Sequence, residues 1–267
     1  MAVPTRVALP LPGPVWLFEV LLLLTFVLHV LAMNFLLGGS IIAAVERLRA
    51  KAMPSRGVGS AVADGAGEPF VIARWFERKM PVAMAFTITL GIAPLLFVQT
   101  MYGHLFYSAS IVTAWPWFSV LGVLLVTYSL VYRLSFHGGT LSGGAKATAI
   151  LVAIGLVAIA FLYVNNMTLS IRPEVWASKY FARPGGTSWN LDDPTFFPRL
   201  LHFVTAAIAV AGMVLAVIGA RRVNKGDESG RTWLKLGGLW FVIPTFLQFG
   251  WGLWWLLALE REVMMLL

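Results

Sequence analysis

The sequence predicts an all-α integral membrane protein, a six-transmembrane-helix bundle that forms one membrane domain over residues 1–267. The chain is 59% hydrophobic and 12% charged, with a mean hydropathy of +0.81. A soluble domain of this size could not bury that much apolar surface. Apolar stretches recur six times, and about twenty helical residues cross a hydrocarbon core of about 30 Å. The predicted spans lie at about 15–45, 81–112, 118–132, 147–164, 194–220 and 234–258.

Basic residues are concentrated in the connections that follow the first and fifth spans, and they predict the orientation. Lys and Arg mark cytoplasmic loops, so both termini are expected on the outer, periplasmic side of a bacterial inner membrane. The net charge of +8 is explained by these residues, and nucleic-acid binding is not expected. They are Arg47, Arg49, Lys51, Arg56, Arg74, Arg78, Lys79, Arg221, Arg222, Lys225, Arg231 and Lys235.

The first span follows a proline-rich leader at residues 1–14 and carries three polar or sulfur-bearing candidates. It has no basic start and no small-residue cleavage site, so it is expected to be retained as a helix. Glu19 either extends to the interface or handles protons. His29, in mid-membrane, needs a hydrogen-bond partner or a metal. Met33, one turn later, is core filler or a weak ligand.

Residues 47–70 are rich in small residues at their centre and are predicted to be a flexible cytoplasmic linker. In the second span, Gly91 and Pro94 predict a kink in mid-membrane. His104 lies further along this span, about 13 to 15 Å below its outer end. The third span ends near Arg133, and we interpret His137 after it as an ordinary loop histidine.

The second half of the chain adds one histidine and an aromatic outer end. The loop 165–193 combines aromatic and polar residues, which suits a lid on the membrane surface. Residues 192–194, Asp-Asp-Pro, are typical of a helix start. His202 lies about 12 Å inside the fifth span, and Arg199 precedes it by one turn. The sixth span ends in a tryptophan-rich segment.

The available ligands favour b-type haem. The sequence has no cysteine, which excludes iron–sulfur clusters, covalently attached haem, thiolate catalysis and disulfides. His104 and His202 reach matching depth in the outer half of the membrane, with His29 several ångströms deeper. A lone histidine of this kind is usually a hydrogen-bonded core residue, but three together, with Arg199 for a propionate, favour haem over zinc or copper.

Four stretches resemble the N-terminal helices of subunit I of cytochrome bd-type quinol oxidases. They are LHVLAMNFLLGGSIIAAVER in the first span, FTITLGIAPLLFVQTMYG in the second, FLYVNNM before the long loop and PRLLHFVTAAIAVAGMVLAVIGA after it. The resemblance extends to about Ala220. The second half of the family's subunit, with its quinol-binding loop and the methionine that completes the low-spin haem, has no expected counterpart here.

The resemblance implies roles for particular residues. His29 matches the ligand of a high-spin haem, His202 matches the ligand of the low-spin haem, and Arg199 matches a basic position beside it. Gln99 stands where the family has a haem-associated glutamate. His104, next to Gly103, is not a family ligand, and we expect it to replace the missing methionine opposite His202.

We therefore expect a b-type haem cytochrome of a respiratory chain, with one or two haems, that oxidises membrane quinol. Its outer-side partner would be a protein such as a c-type cytochrome, and other membrane subunits or further copies of the chain would accompany it. Glu19 and Gln99 are the candidate catalytic residues, with Met33 and Gly103 beside the cofactor. Two alternatives remain open at this stage, a terminal oxidase that reduces oxygen and a haem-free membrane anchor.

Overall fold

The computed structural model describes residues 11–50 and 67–265, and the regular elements in these ranges are all helical. Six of the described helices are long and apolar enough to cross a membrane, namely α1, α2, α3, α4, α6 and α7. This confirms the all-α, multi-pass class. The helices are α1 (Val15–Arg49), α2 (Gly67–Val112), α3 (Ala114–His137), α4 (Gly143–Ser170), α5 (Trp176–Ala182), α6 (Phe196–Val223), α7 (Ser229–Ala258) and α8 (Arg261–Met264).

The helices extend beyond the apolar stretches, because hydropathy reports only the part of a helix that lipid can surround. The predicted linker 47–70 is shorter at both ends, since α1 continues to Arg49 and α2 begins at Gly67. Its centre, residues 51–66, lies outside the described residues, as do residues 1–10 of the leader. The predicted loop 165–193 is also partly helical: its first six residues complete α4, and a 3-10 turn and α5 follow.

Helices α1, α6 and α7 pack with their backbones almost in contact. A Cβ atom on Gly38 of α1 would lie 1.9 Å from the carbonyl oxygen of Ala207 on α6. One on Gly212 would lie 2.5 Å from the carbonyl carbon of Trp240 on α7, and one on Gly237 would lie 2.3 Å from the α6 backbone. Small residues at such crossings are the usual means of helix association in membranes.

The break in α2 does not coincide with Pro94, where the sequence predicts the kink. Pro94 lies within the helix, whereas the non-helical backbone occurs at Tyr102, with φ of −128° and ψ of 29°. The next residue, Gly103, is buried and leaves room for the ring of Tyr107, which would be 3.3 Å from a Cβ there. The break is thus found where a side chain folds over a glycine.

A buried ion cluster, formed by Arg47, Arg74 and Glu77, joins the end of α1, the start of α2 and the end of α3. The carboxylate of Glu77 accepts bonds from Arg47 Nε at 2.6 Å and from Arg74 Nη1 at 2.7 Å. Arg47 and Glu77 are fully buried. Arg47 belongs to α1 and Arg74 to α2, so these two arginines are structural and do not lie in the predicted loop. The guanidinium groups also donate to main-chain carbonyls at the end of α3 and in the turn that follows it. These are the carbonyls of Leu134, Ser135, Gly138 and Thr140.

We predict that Glu77→Gln lowers the free energy of unfolding by about 3 to 5 kcal/mol, because it leaves two buried guanidinium groups without their counter-charge. An SDS titration of the detergent-solubilised chain measures this. The control is Arg231→Gln, which removes an ion pair with Glu228 whose side chains are 72% and 75% exposed and should cost about 0 to 1 kcal/mol. Equal losses in the two variants would contradict a structural role for the ion cluster.

Candidate functional site

The His202 cluster, formed by Arg199, His202, Trp251 and Trp255, lies between α6 and α7 at the end of the bundle opposite the ion cluster. Arg199 and His202 are one turn apart on α6, and the two tryptophans are one turn apart on α7, so each pair shares a helix face. The rings of His202 and Trp255 are 6.1 Å apart, centroid to centroid. The guanidinium carbon of Arg199 lies 4.9 Å from the centroid of the Trp255 ring.

Each residue of the His202 cluster has a buried nitrogen without a hydrogen-bond partner among the described residues. These atoms are Arg199 Nε, His202 Nδ1, Trp251 Nε1 and Trp255 Nε1, four of the seven such side-chain atoms in the described chain. An unpartnered buried donor costs about 1 to 3 kcal/mol, and native proteins rarely leave several together. The cluster is therefore suited to a ligand that accepts hydrogen bonds.

One glycine of α7 lies beside His202. A Cβ on Gly252 would be in ordinary van der Waals contact, 3.8 Å from Cε1 and Nδ1 of His202. Arg199 has no carboxylate within ion-pair distance in the described chain. A ligand with anionic groups would therefore match the site in charge.

His29 is held by the neighbouring helix. Its Nδ1 lies 3.0 Å from the carbonyl oxygen of Thr87 on α2, and its ring occupies the space above Gly91, where a Cβ would lie 2.8 Å from it. If Nδ1 donates this bond, Nε2 carries the lone pair that binds a metal. The arrangement satisfies a core histidine, and it also orients a ligand.

The structure does not bring His104 into contact with His202. Helix α2 packs mainly against α1, α3 and α4, whereas α6 packs against α1, α4 and α7. His104 is exposed on α2. Beside it, Gln99 Oε1 accepts a 3.4 Å bond from Tyr107, and Gly103 is covered by the same ring. The pairing of His104 with His202 stays a prediction that rests on depth alone.

The remaining candidates lie apart from the His202 cluster. Glu19 is exposed near the start of α1, Met33 is half-buried in the same helix, and His137 is exposed at the end of α3. Within residues 11–50 and 67–265, no group of three or more His, Cys, Asp or Glu side chains is placed to hold a metal ion.

A network of amides that the sequence pattern did not predict holds the loop before α6. Asn165 Oδ1 accepts a 2.8 Å bond from the main-chain N–H of Asn190, and Asn190 Nδ2 donates to Asp193 Oδ2 at 3.3 Å. Asp193 Oδ1 in turn accepts from the main-chain N–H of Thr195 at 2.7 Å. The signal available was the Asn-Asn pair at the end of an apolar span, where amides are costly unless they are bonded.

Ion pairs on the same loop lie nearer to solvent. Burial raises the pKa of Asp192, but the hydrogen bond and positive charge of Lys179 outweigh burial and hold the pKa below its usual value. A hydrogen bond to Glu174 raises the pKa of Arg172, and Arg172 also lies 3.5 Å from Asp193. These contacts anchor the segment that leads into α6, and α6 begins six residues before His202.

Comparison of the chain with protein-family models, with curated proteins and with solved structures finds no match in any of the three. The interpretation of the site therefore depends on the residues themselves.

We predict that Gly91→Ala destabilises the protein only while His29 is present, because the added methyl group displaces the imidazole from its bond to Thr87. In an SDS titration, Gly91→Ala should lower the free energy of unfolding by at least about 1 kcal/mol in the native background. In the His29→Ala background it should have little effect, which is the signature of coupled residues. Gly122→Ala, where a Cβ meets nothing within 4 Å, is the control. Additive losses would show that His29 and Gly91 act independently.

Proposed function

We propose that the chain is a b-type haem membrane cytochrome that binds haem through His202 and passes electrons between membrane quinol and a partner on the outer side. The observation that carries this proposal is the group of four buried, unpartnered nitrogens in the His202 cluster. The resemblance to the quinol oxidase subunit at His202 and Arg199 supports the same assignment.

The residues of the His202 cluster fit haem in chemistry. The imidazole of His202 would hold the iron, and Arg199 with the two tryptophan N–H groups would bind carboxylates of the propionate kind. The indole rings and the bare backbone at Gly252 would provide a flat apolar wall. Haem supplies the one-electron chemistry, and the protein supplies ligation, polarity and exclusion of water.

The depth of His202 supports exchange of electrons with an outer partner. His202 lies six residues after Phe196, the first residue of α6, which is about 9 Å along the helix axis. In our proposal this end faces the periplasm of a bacterial inner membrane, because the opposite end carries the excess of Lys and Arg. A c-type cytochrome on that surface could approach the site, and other membrane subunits or further copies of the chain would cover the exposed apolar helix faces.

The geometry of His29 favours a second candidate function, that of a terminal oxidase. If Nδ1 donates to Thr87, Nε2 would be available to hold the iron of a second haem. A haem iron that the protein does not fully coordinate binds CO. A cytochrome that only carries electrons does not need such an iron. Glu19 on α1 would then be the candidate for proton handling, and Gln99 on α2 would be a candidate weak ligand.

We predict that the purified chain shows a reduced-minus-oxidised spectrum of low-spin b-type haem and that His202→Ala loses it. A pyridine haemochrome assay of haem per chain gives the stoichiometry. His137→Ala is the control, because that histidine is exposed at the other end of the bundle. His104→Ala tests the axial pair. A colourless native protein, or a full low-spin spectrum in His202→Ala, would overturn the proposal, and CO binding lost in His29→Ala would favour the oxidase.

We also predict that Arg199→Gln lowers the reduction potential of the low-spin haem. A positive charge in a medium of low dielectric constant stabilises the form with the extra electron, so its removal favours the oxidised form. A redox titration of the purified variant measures this, at equal haem content per chain. Arg133→Gln, on the exposed end of α3, is the control. An unchanged potential with haem retained would place Arg199 away from the cofactor.

A further inference from the structure

A cavity of about 610 Å³ lies at the end of the bundle that holds the ion cluster, where the start of α2 meets the end of α6 and the start of α7. We call it the basic-end cavity. Four cationic side chains line it, and no acidic side chain is among its lining residues in the described chain. The cations are Arg74, Arg78, Lys79 and Arg222.

The positive charge of the basic-end cavity is not balanced by the surrounding carboxylates. Arg74 shares the single carboxylate of Glu77 with Arg47, so the ion cluster keeps one net positive charge. Arg222 lies 3.9 Å from Asp227, and both of these side chains are partly open to solvent. Glu68, which lies close by, accepts a 2.9 Å bond from the indole of Trp233.

The two remaining cations, Arg78 and Lys79, have no carboxylate within ion-pair distance in the part of the chain that the structure describes. Both side chains are exposed on α2, four and five residues after Arg74. The cavity therefore carries net positive charge, and two of its cations are free to bind an anion.

Aromatic rings hold the cations in place and give the cavity an apolar floor. The guanidinium carbon of Arg222 lies 3.8 Å from the ring centroid of Trp233, and Lys79 Nζ lies 5.2 Å from that of Trp75. The two indoles contact each other edge to face, with centroids 5.9 Å apart. Tryptophan with Lys or Arg is the combination found where apolar chains meet the polar membrane surface.

The position of the cavity along the helices matches that surface. Arg222 is the penultimate residue of α6, and Trp233 is four residues after the first residue of α7. Four residues correspond to about 6 Å along the axis, so the cavity opens at the ends of spanning helices. Basic pockets between helices at this depth are suited to phosphate-bearing lipid head groups.

We propose that the basic-end cavity binds the phosphate-bearing head group of an anionic phospholipid, with an acyl chain along the indole of Trp75. Arg78 and Lys79 contact the phosphate, and Arg74 and Arg222 contribute the field of fixed charge. This site is independent of the proposed haem function, because it lies at the opposite end of the bundle from His202.

Native mass spectrometry of the detergent-solubilised full chain tests the proposal, with dioleoyl phosphatidylglycerol, dioleoyl phosphatidylcholine and inorganic phosphate as separate probes. We expect phosphatidylglycerol to bind at least tenfold more tightly than phosphatidylcholine. The double variant Arg78→Gln/Lys79→Gln should weaken the binding of phosphatidylglycerol by roughly thirtyfold. Each of the two basic side chains should account for about five- to sixfold of this loss, as expected for a cation near an anionic lipid surface. The charge-matched control is Arg133→Gln/Lys235→Gln, which removes two exposed cations at the same end outside the cavity and should change affinity less than about threefold.

A second variant tests the cavity without a change in charge. A Cβ at Gly139, which lines the cavity, meets nothing within 4 Å, so Gly139→Phe should fit the fold and fill the opening. It should weaken the binding of phosphatidylglycerol as strongly as Arg78→Gln/Lys79→Gln does. Equal binding of the two lipids would overturn the proposal, as would an equal loss in the control. Binding of inorganic phosphate as tight as that of the lipid would assign the site to a free anion.

Discussion

The carboxylate of Glu77, shared by two guanidinium groups, is the interaction on which the arrangement of the first three helices depends. A carboxylate and two arginines without water are stable only if every donor finds an acceptor, and here the spare donors reach the carbonyls at the end of α3. Helices α1 and α2 then run antiparallel, with contacts in sequence from Gly39 and Phe76 to His29 and Gly91. The position of His29 against Thr87 is part of this packing.

The two ends of the bundle treat buried polar groups in opposite ways. In the ion cluster every guanidinium nitrogen that faces Glu77 or α3 is bonded, and the cluster acts as structure. In the His202 cluster four nitrogens stay unbonded in the described chain. Because lipid cannot supply hydrogen bonds, an unbonded donor inside a membrane helix pair costs more than one at a soluble surface. The contrast is the reason to propose a ligand at the His202 cluster and a structural role for the ion cluster.

The sequence predicted the six spans because hydropathy over about twenty residues reports directly on contact with lipid. It placed Arg47 and Arg74 in the cytoplasmic connection after the first span, because a charged residue suggests a loop when its partner is not known. Glu77 is thirty residues from Arg47 in the sequence. Depth along a helix was also predictable, but the face was not. His104 and His202 have matching predicted depths, yet α2 and α6 are mainly packed on other helices, which only tertiary structure could reveal.

The spacing of Trp251 and Trp255 carries more information than a membrane-interface role alone. We interpreted them as an aromatic outer end, since tryptophan commonly marks the membrane interface. Their four-residue spacing places them on one face of α7, and Gly252 between them clears the backbone where His202 approaches. The same use of tryptophan occurs at the other end, where Trp233 lies under Arg222. One close-packed helix pair, α6 and α7, therefore presents a cation on an indole at each end. What separates the two sites is whether the indole nitrogen is bonded, as it is in Trp233 and is not in Trp255.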